Sequence, residues 1–130
     1  LKNARIIDIY SVENSNAVAS DLLTKLLYLG LSCRHFDDYY HQKISAGNLT
    51  SQDVAVGISY SGYSRDTVEV MKRGEKKSGA VTIVITNFRD SLITKYADLV
   101  ICTSQQQLFY GDAIFSRTAQ MMIVDMIYMA

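Results

Sequence analysis

Three short runs of β-branched residues, separated by amphipathic segments, limit this chain most strongly to one class of fold. The runs are almost continuously apolar: Ile6-Ile7-Asp8-Ile9, Val54-Ala55-Val56-Gly57-Ile58 and Val81-Thr82-Ile83-Val84-Ile85. Continuous runs are typical of parallel strands covered on both faces, whereas half-exposed antiparallel strands alternate apolar and polar residues. The pattern therefore predicts a parallel sheet with helices on both faces.

Five strands and the helices between them can be placed along the chain. We predict strands at residues 5–10, 32–36, 54–59, 81–86 and 99–103. We predict helices at residues 16–29, 39–46, 65–78 and 112–128, with a brief helix at 92–96. Gly30 and Gly79 stand where the first and third helices should stop. The alternation predicts an α/β fold, a three-layer αβα sandwich whose five-stranded parallel sheet has the flavodoxin-like order 2-1-3-4-5.

The composition indicates one cytoplasmic domain, residues 1–130, without a metal site or cofactor. Thirteen basic and thirteen acidic residues give zero formal net charge, which argues against nucleic-acid binding by this chain itself. The apolar stretches are far shorter than the roughly 20 residues of a membrane span, and no signal peptide is evident. Cys33 and Cys102 lie in strand-like runs, where we expect buried free thiols. Because the chain starts at Leu1, we expect a domain of a longer protein.

Two polar turns follow the first and third strands, and both lead into helices. They are Ser11-Val12-Glu13-Asn14-Ser15 and Ser59-Tyr60-Ser61-Gly62-Tyr63-Ser64. In an open parallel sheet, ligands bind past the carboxyl ends of the strands, where the strand order reverses. Hydroxyls beside the unpaired amides of a helix start suit a phosphate, and Gly62 permits a tight turn and a close approach of backbone to ligand. The alternative for Ser64 is a helix N-cap and nothing more.

The stretch 53–71, DVAVGISYSGYSRDTVEVM, resembles the signature of the sugar isomerase (SIS) domain, a hydrophobic strand, Ser-x-Ser-Gly-x-Thr and a helix. The chain is similar, more narrowly, to the SIS domain of the RpiR/MurR family of transcriptional regulators. The features that match are Val18-Ala19-Ser20-Asp21-Leu22, Gly30, Asp38 with Gln42, Gly79-Ala80, Thr86 with Ser91, Ala97-Asp98, Ser116-Arg117, Ala119-Gln120 and Asp125. The resemblance covers nearly the whole chain.

The resemblance implies a phosphate-binding ring of small residues. Its members would be Ser59, Ser61, Gly62 and Ser64, with Ser15 closing the ring from the first turn. Ser64 stands where the family has threonine, and the substitution keeps the hydroxyl. Candidates for contacts with the sugar are Asn14, Glu13, Tyr60 and Tyr63.

The first turn departs from the family pattern Gly-x-Gly-x-Ser. Ser11 and Glu13 replace its two glycines. A carboxylate beside a phosphate dianion repels it, unless the Glu13 side chain turns outward or meets the hydroxyls of the sugar.

No catalytic residue is predicted, because sugar isomerisation needs a positioned base and the candidates fit other roles. We expect His35 to be a solvated loop residue, His41 a surface or interface residue, and Glu69 and Glu75 part of a solvated helix face. Where SIS isomerases place a glutamate, this chain has Ser104-Gln105-Gln106-Gln107, whose amides cannot act as bases. We therefore expect a phosphosugar sensor whose DNA-binding helix-turn-helix domain lies outside this chain. The alternatives are a sugar-phosphate isomerase and a pairing module with a degenerate site.

The last predicted helix is apolar on most of its surface. Its apolar residues are Ile114, Phe115, Met121, Met122, Ile123, Val124, Met126 and Ile127. Such a helix is buried within its own domain or against a partner. SIS domains usually pair, so the resemblance implies a homodimer, in which His41 or Arg117 could reach the ligand of the neighbouring subunit.

Overall fold

A five-stranded parallel sheet lies at the centre of the chain. The computed structural model describes residues 1–103 and 118–130. The strands are β1 (Ile7–Tyr10), β2 (Cys33–His35), β3 (Val54–Ser59), β4 (Val81–Thr86) and β5 (Leu99–Cys102). They lie in the order β2-β1-β3-β4-β5, and each pairs in parallel with its neighbour. The predicted fold class and strand order are confirmed.

The helices lie close to their predicted positions. They are α1 (Asn16–Tyr28), α2 (Tyr39–Gly47), α3 (Arg65–Ser78) and α4 (Thr118–Met129), with 3-10 turns at Glu13–Ser15 and Leu92–Tyr96. The predicted start of the last helix, residues 112–117, lies outside the described residues. None of the helices in the described part of the chain is long and apolar enough to cross a bilayer.

The helices cover both faces of the sheet and create two hydrophobic cores. On one face, Ile7 and Ile9 of β1 pack in a cluster with Leu22 and Leu26 of α1 and Val124 of α4. The second cluster contains Tyr10, Ala55, Val84, Val68 and Met71, so that α3 covers the opposite face. Side chains of successive strand residues point to opposite faces, so nearly continuous apolar strands supply both cores.

Two expectations about burial need correction or refinement. Cys33 and Cys102 are free but only half-buried. They lie on β2 and β5, the two edge strands, which have a neighbouring strand on one side only. Helix α4 buries Val124 but leaves Met122 and Met126 59% and 62% exposed, so only part of its apolar surface faces this domain. Homodimerisation remains a prediction.

A buried carboxylate anchors the start of β3. The side chain of Asp53 is fully buried, and Arg5 donates to it from Nε at 2.9 Å and from Nη2 at 2.7 Å. The backbone amide of Thr50 donates to the same carboxylate at 2.7 Å. Burial raises the pKa of Asp53, but the hydrogen bonds from Arg5 and Thr50 lower it by more, and the net pKa lies below the ordinary value.

We expect this anchor to make the fold sensitive to acid. Because the pKa of Asp53 is lower in the folded state, its contribution is fully present above the unfolded pKa of about 3.9 and is lost as pH falls through the folded pKa. Urea unfolding at a series of pH values from 7 to 2 measures the free energy of unfolding. The Asp53→Asn variant should be less stable at pH 7 and should lose less stability on acidification. An equal acid dependence in both proteins would contradict the prediction.

Candidate functional site

A cleft of about 590 Å³ lies at the carboxyl edge of the sheet, where the strand order reverses between β1 and β3. The predicted residues that line it are Glu13, Ser15, Ser59, Tyr60, Ser61, Tyr63 and Ser64. The two polar turns therefore share one cavity. A larger groove of about 990 Å³ is mostly apolar, includes residues at the amino ends of β3 and β4, and contains none of the predicted site residues.

The serine hydroxyls of the turn after β3 stabilise the turn itself. The Oγ of Ser59 accepts a hydrogen bond from the amide of Gly62 at 3.1 Å, and the Oγ of Ser61 accepts one from the amide of Tyr63 at 3.1 Å. A hydroxyl that accepts in this way still has its own hydrogen to donate. The turn thus orients two O–H donors at the end of β3, and donors are what a phosphate oxygen requires.

Gly62 packs directly against the loop that follows β4. Its φ angle is 74°, and a Cβ at this position would lie 1.9 Å from Oγ and 2.2 Å from Cβ of Ser91. The carbonyl of Gly62 accepts a hydrogen bond from the amide of Ile93 at 3.0 Å. A glycine is therefore required both by the backbone conformation and by the contact with Ser91.

Ser64 precedes α3 at the N-cap position, but its side chain makes no capping hydrogen bond. Its Oγ accepts from the hydroxyl of Thr67 at 3.5 Å instead, so Ser64 occupies the cap position without capping the helix through its side chain. Without that cap, the first amides of α3 keep their capacity to bind an anion, and the helix dipole adds to it. The first turn of the helix also brings Arg65 and Asp66 to the cleft, one charge of each sign.

In the first polar turn, Glu13 has a glycine-like conformation although it replaces a glycine of the family pattern. Glu13 has a φ angle of 52° and is the one non-glycine residue with positive φ in the described part of the chain. Ser11 is fully buried, and its hydroxyl donates to Oδ1 of Asn16 at 2.7 Å. The amide of Ser15 donates to the carbonyl of Val12 at 3.1 Å, and Ser15 is 6% exposed. Asn14 lies in the same turn, between Glu13 and Ser15.

The two tyrosines of the serine turn differ in exposure. Tyr60 is buried, and its ring packs edge-on against Phe88 with the ring centroids 6.2 Å apart. Tyr63 is 61% exposed at the cleft. The ring of Tyr63 is therefore exposed and accessible to a bound sugar, whereas that of Tyr60 is buried.

Sequence reasoning missed a third wall of the cleft. Asp37 and Tyr39 line it and lie directly after β2, the neighbour of β1. The signal was present, because the carboxyl ends of parallel strands meet at one edge and β2 is predicted beside β1. The order of the strands therefore predicts that polar residues after β2 line the cleft as well.

The structure corrects the expectation for His35, which is not a solvated loop residue. It belongs to β2, its side chain is 5% exposed, and Nδ1 lies 2.9 Å from the carbonyl oxygen of Ile9. The parallel register opposes His35 to Ile9 and so holds the ring against β1. Its Nε2 has no hydrogen-bond partner and lies 3.5 Å from Oδ1 of Asp37.

The other candidate bases lie outside the cleft. The side chain of His41 is 63% exposed, as expected for a surface residue, and Nδ1 lies 2.5 Å from the carboxylate of Asp38, the N-cap of α2. The side-chain hydrogen bond with His41 lowers the pKa of Asp38. Glu69 is exposed, but Glu75 is half-buried with Oε2 buried and without a hydrogen-bond partner, because α3 turns this residue toward the domain. The stretch Ser104-Gln105-Gln106-Gln107 lies outside the described residues.

Comparison with known protein families agrees with this arrangement. The family model of the SIS domain matches residues 1–130. The chain belongs to the SIS domain family. In the described residues of this SIS domain, no group of three or more His, Cys, Asp or Glu side chains could hold a metal ion.

Curated relatives of this SIS domain are regulators of the helix-turn-helix type. The chain is 37% identical over 129 residues to an uncharacterized HTH-type transcriptional regulator of Caldanaerobacter subterraneus, with 98% of this chain and 45% of the relative covered. It is 30% identical over 128 residues to the HTH-type transcriptional regulator RpiR of Escherichia coli K12, with 98% and 43% covered. The chain thus spans less than half the length of these relatives.

Solved structures with the same fold include a complex with ManNAc-6P and a putative sugar-phosphate isomerase. The NanR protein of Vibrio vulnificus, complexed with ManNAc-6P, has a TM-score of 0.90 at 20% identity, with 98% of this chain and 48% of that chain covered. A putative sugar-phosphate isomerase from Listeria monocytogenes has a TM-score of 0.75 at 21% identity, with 97% and 66% covered. At these identities the likeness concerns the fold alone.

Proposed function

We propose that this SIS domain senses a phosphorylated sugar and regulates a DNA-binding domain of the same protein. Ser59, Ser61 and Ser64 would bind the phosphate together with the first amides of α3, and Ser15 would complete the ring. The observation that carries the proposal is the shared cleft, in which the turns after β1 and β3 present hydroxyl groups to one cavity. The curated relatives, which are regulators of the helix-turn-helix type, support the role of sensor.

The chemistry of the serine turn supports reversible binding of a dianion. Each hydrogen bond to a charged partner contributes about 1.5–3 kcal/mol, and the helix dipole adds about 0.3–1 kcal/mol. Several neutral donors can therefore hold a phosphate without a lysine. A sensor must release its ligand when the concentration of the ligand falls, and neutral donors suit that requirement.

The second candidate function, a sugar-phosphate isomerase, is favoured by the carboxylates at the cleft. Glu13 and Asp37 both line it, and a carboxylate can move a proton between adjacent carbons of a sugar. Aldose–ketose exchange catalysed by the wild-type chain and lost in Glu13→Gln or Asp37→Asn would establish this function instead. The third candidate, a pairing module, would bind no phosphosugar at all.

Substitution of Ser64 tests the proposal, because its hydroxyl makes no capping bond and accepts only a long hydrogen bond, 3.5 Å, from the hydroxyl of Thr67. Isothermal titration with hexose and amino-sugar 6-phosphates should find a ligand for the wild type, and Ser64→Ala should weaken it about 10- to 100-fold, as expected for one lost bond to a phosphate. Without ligand, the free energy of unfolding should fall by no more than about 1 kcal/mol, the cost of the lost bond from Thr67. Ser20→Ala, an exposed serine of α1, is the matched control and should bind normally.

A thermal-shift screen can contradict the proposal. A sugar phosphate at 100 times its Kd should stabilise the folded chain by about 2.7 kcal/mol, whereas the same sugar without phosphate should not. If a folded chain gains no stability from any phosphosugar, the proposal is wrong and the pairing module gains support.

A further inference from the structure

We infer that the cleft selects a sugar phosphate that carries a protonated amine, which Glu13 and Asp37 bind. This inference rests on the proposed function, since it concerns the sugar end of the ligand whose phosphate lies on the serine turn. The two carboxylates belong to the turns after β1 and β2, and the serine turn follows β3. A ligand that spans the cleft would therefore have its phosphate on one side and its amine on the other.

Negatively charged side chains outnumber positively charged ones in the lining of the cleft. Among the described lining residues, three carry carboxylates, Glu13, Asp37 and Asp66, and one carries a cation, Arg65. Arg65 and Asp66 are adjacent at the start of α3, and together they add no net charge to the cleft. Glu13 and Asp37 keep their charges, and a bound phosphate would add two more negative charges to the same cavity.

The cations closest to these carboxylates along the chain already have partners. The guanidinium of Arg34 donates from Nε to the carboxylate of Asp8 at 2.5 Å. The ammonium of Lys43 lies over the ring of Tyr39, 5.9 Å from its centroid, and His41 contacts Asp38. No ion pair of Glu13 occurs within the described residues, and the side chain of Asp37 is 92% exposed.

A buried imidazole lies beside Asp37 at this wall. Nδ1 of His35 lies 2.9 Å from the carbonyl oxygen of Ile9, and its buried Nε2 lies 3.5 Å from Oδ1 of Asp37 without a hydrogen-bond partner. That distance is longer than a good hydrogen bond, so the Asp37 carboxylate remains open to a donor from a ligand. A cation in the ligand would satisfy the Asp37 carboxylate.

An ammonium fits this wall better than a hydroxyl does. It offers three donors and a full positive charge, whereas a sugar hydroxyl offers one neutral donor. The positive charge also offsets the repulsion between the phosphate and the two carboxylates. N-acetylation removes both the charge and two of the three hydrogens, so the acetylated sugar should lose the advantage.

The test compares sugars that differ only at the amine. Isothermal titration at pH 7 would measure the Kd of glucosamine 6-phosphate, glucose 6-phosphate and N-acetylglucosamine 6-phosphate, and of the corresponding mannose and galactose series. In at least one series, the sugar with the free amine should bind at least about 10-fold more tightly than the hydroxyl and N-acetyl sugars. The reason is that only its ammonium forms an ion pair with the two carboxylates. The double variant Glu13→Gln, Asp37→Asn should reduce that ratio to about twofold or less, while Glu69→Gln, an exposed residue outside the cleft, should keep it.

The outcomes separate this inference from the proposed function. Binding of sugar phosphates without a preference for the amine, or with a preference for the N-acetyl form, overturns the inference and leaves the proposed function standing. Absence of binding by every sugar phosphate overturns both. A second measurement needs no variant. Raising the pH until the amine loses its proton should weaken the binding of the amino sugar and leave the binding of its hydroxyl counterpart unchanged. An equal response of both sugars would count against the inference.

Discussion

Replacing Gly62 with alanine should both destabilise the domain and abolish phosphosugar binding. The added Cβ would lie 1.9 Å from Oγ and 2.2 Å from Cβ of Ser91, far inside contact distance, and the φ angle of 74° is unfavourable for any residue with a Cβ. The left-handed conformation costs about 1–2 kcal/mol, and overpacking adds about 1–3 kcal/mol more. Relief of the clash would move the serine turn away from the loop after β4 and displace the hydroxyls of Ser59 and Ser61.

Gly79 provides a matched control for the backbone conformation. It too has a positive φ angle, 65°, but a Cβ there would meet nothing within 4 Å. Gly79→Ala should therefore lose only the conformational part, about 1–2 kcal/mol, and should bind phosphosugar normally. Urea unfolding followed by circular dichroism and titration with the ligand measure both effects.

A second substitution, at Ser91, should reverse part of the effect of Gly62→Ala. Ser91→Gly removes the two atoms closest to the new Cβ and leaves only Oγ1 of Thr86, 3.1 Å away, so the double variant should recover most of the stability lost to overpacking. If Gly62→Ala loses no more stability than Gly79→Ala, the close contact between the two loops does not exist in solution.

The contrast between these two glycines shows what the sequence could and could not reveal. Both were recognisable as turn or helix-stop residues, because glycine tolerates positive φ. The contact of Gly62 with Ser91 joins residues on two different loops, and no local pattern records it. At Glu13 the signal comes from the family resemblance: this residue replaces a glycine of the family pattern, and the turn holds it at a φ angle of 52°.

The sequence pattern was sufficient to predict the bounds of strands that are buried on both faces of the sheet. The bounds of β3 and β4 agree with the prediction to the residue, because each is a continuous apolar run. The edge strand β2 is shorter than predicted, and its last residue, His35, was wrongly assigned to solvent. Its burial depends on pairing with β1, which the order of the strands implies but the sequence near His35 does not.

Asp8 is the residue whose role was least evident from the sequence, since it is a single carboxylate inside the apolar run of β1. It is 1% exposed. Its Oδ1 accepts from Nε of Arg34 at 2.5 Å, and its Oδ2 accepts from the hydroxyl of Tyr10 at 2.8 Å and from the hydroxyl of Ser45. Arg34 and Ser45 are 26 and 37 positions away along the chain, so these partners become apparent only in the folded structure.

The Asp8 network joins the elements that carry two walls of the cleft. Asp8 lies in β1, Arg34 in β2 and Ser45 in α2, and these elements flank the polar turn after β1 and the residues Asp37 and Tyr39. Burial, together with the Asp8 carboxylate, raises the pKa of Tyr10 above its ordinary value. The phenol therefore keeps its proton and remains a donor to Asp8.

We expect Asp8→Ala to lower the free energy of unfolding by about 3–5 kcal/mol, since it removes the buried carboxylate that pairs with the partly exposed Arg34 and leaves two buried hydroxyls without an acceptor. Tyr10→Phe is the matched control: it removes one donor, keeps the carboxylate paired with Arg34 and Ser45, and should cost about 1 kcal/mol. Urea unfolding of both variants measures the difference. If Asp8→Ala is no less stable than Tyr10→Phe, the carboxylate contributes nothing beyond one hydrogen bond, and the network does not help to hold the walls of the cleft together.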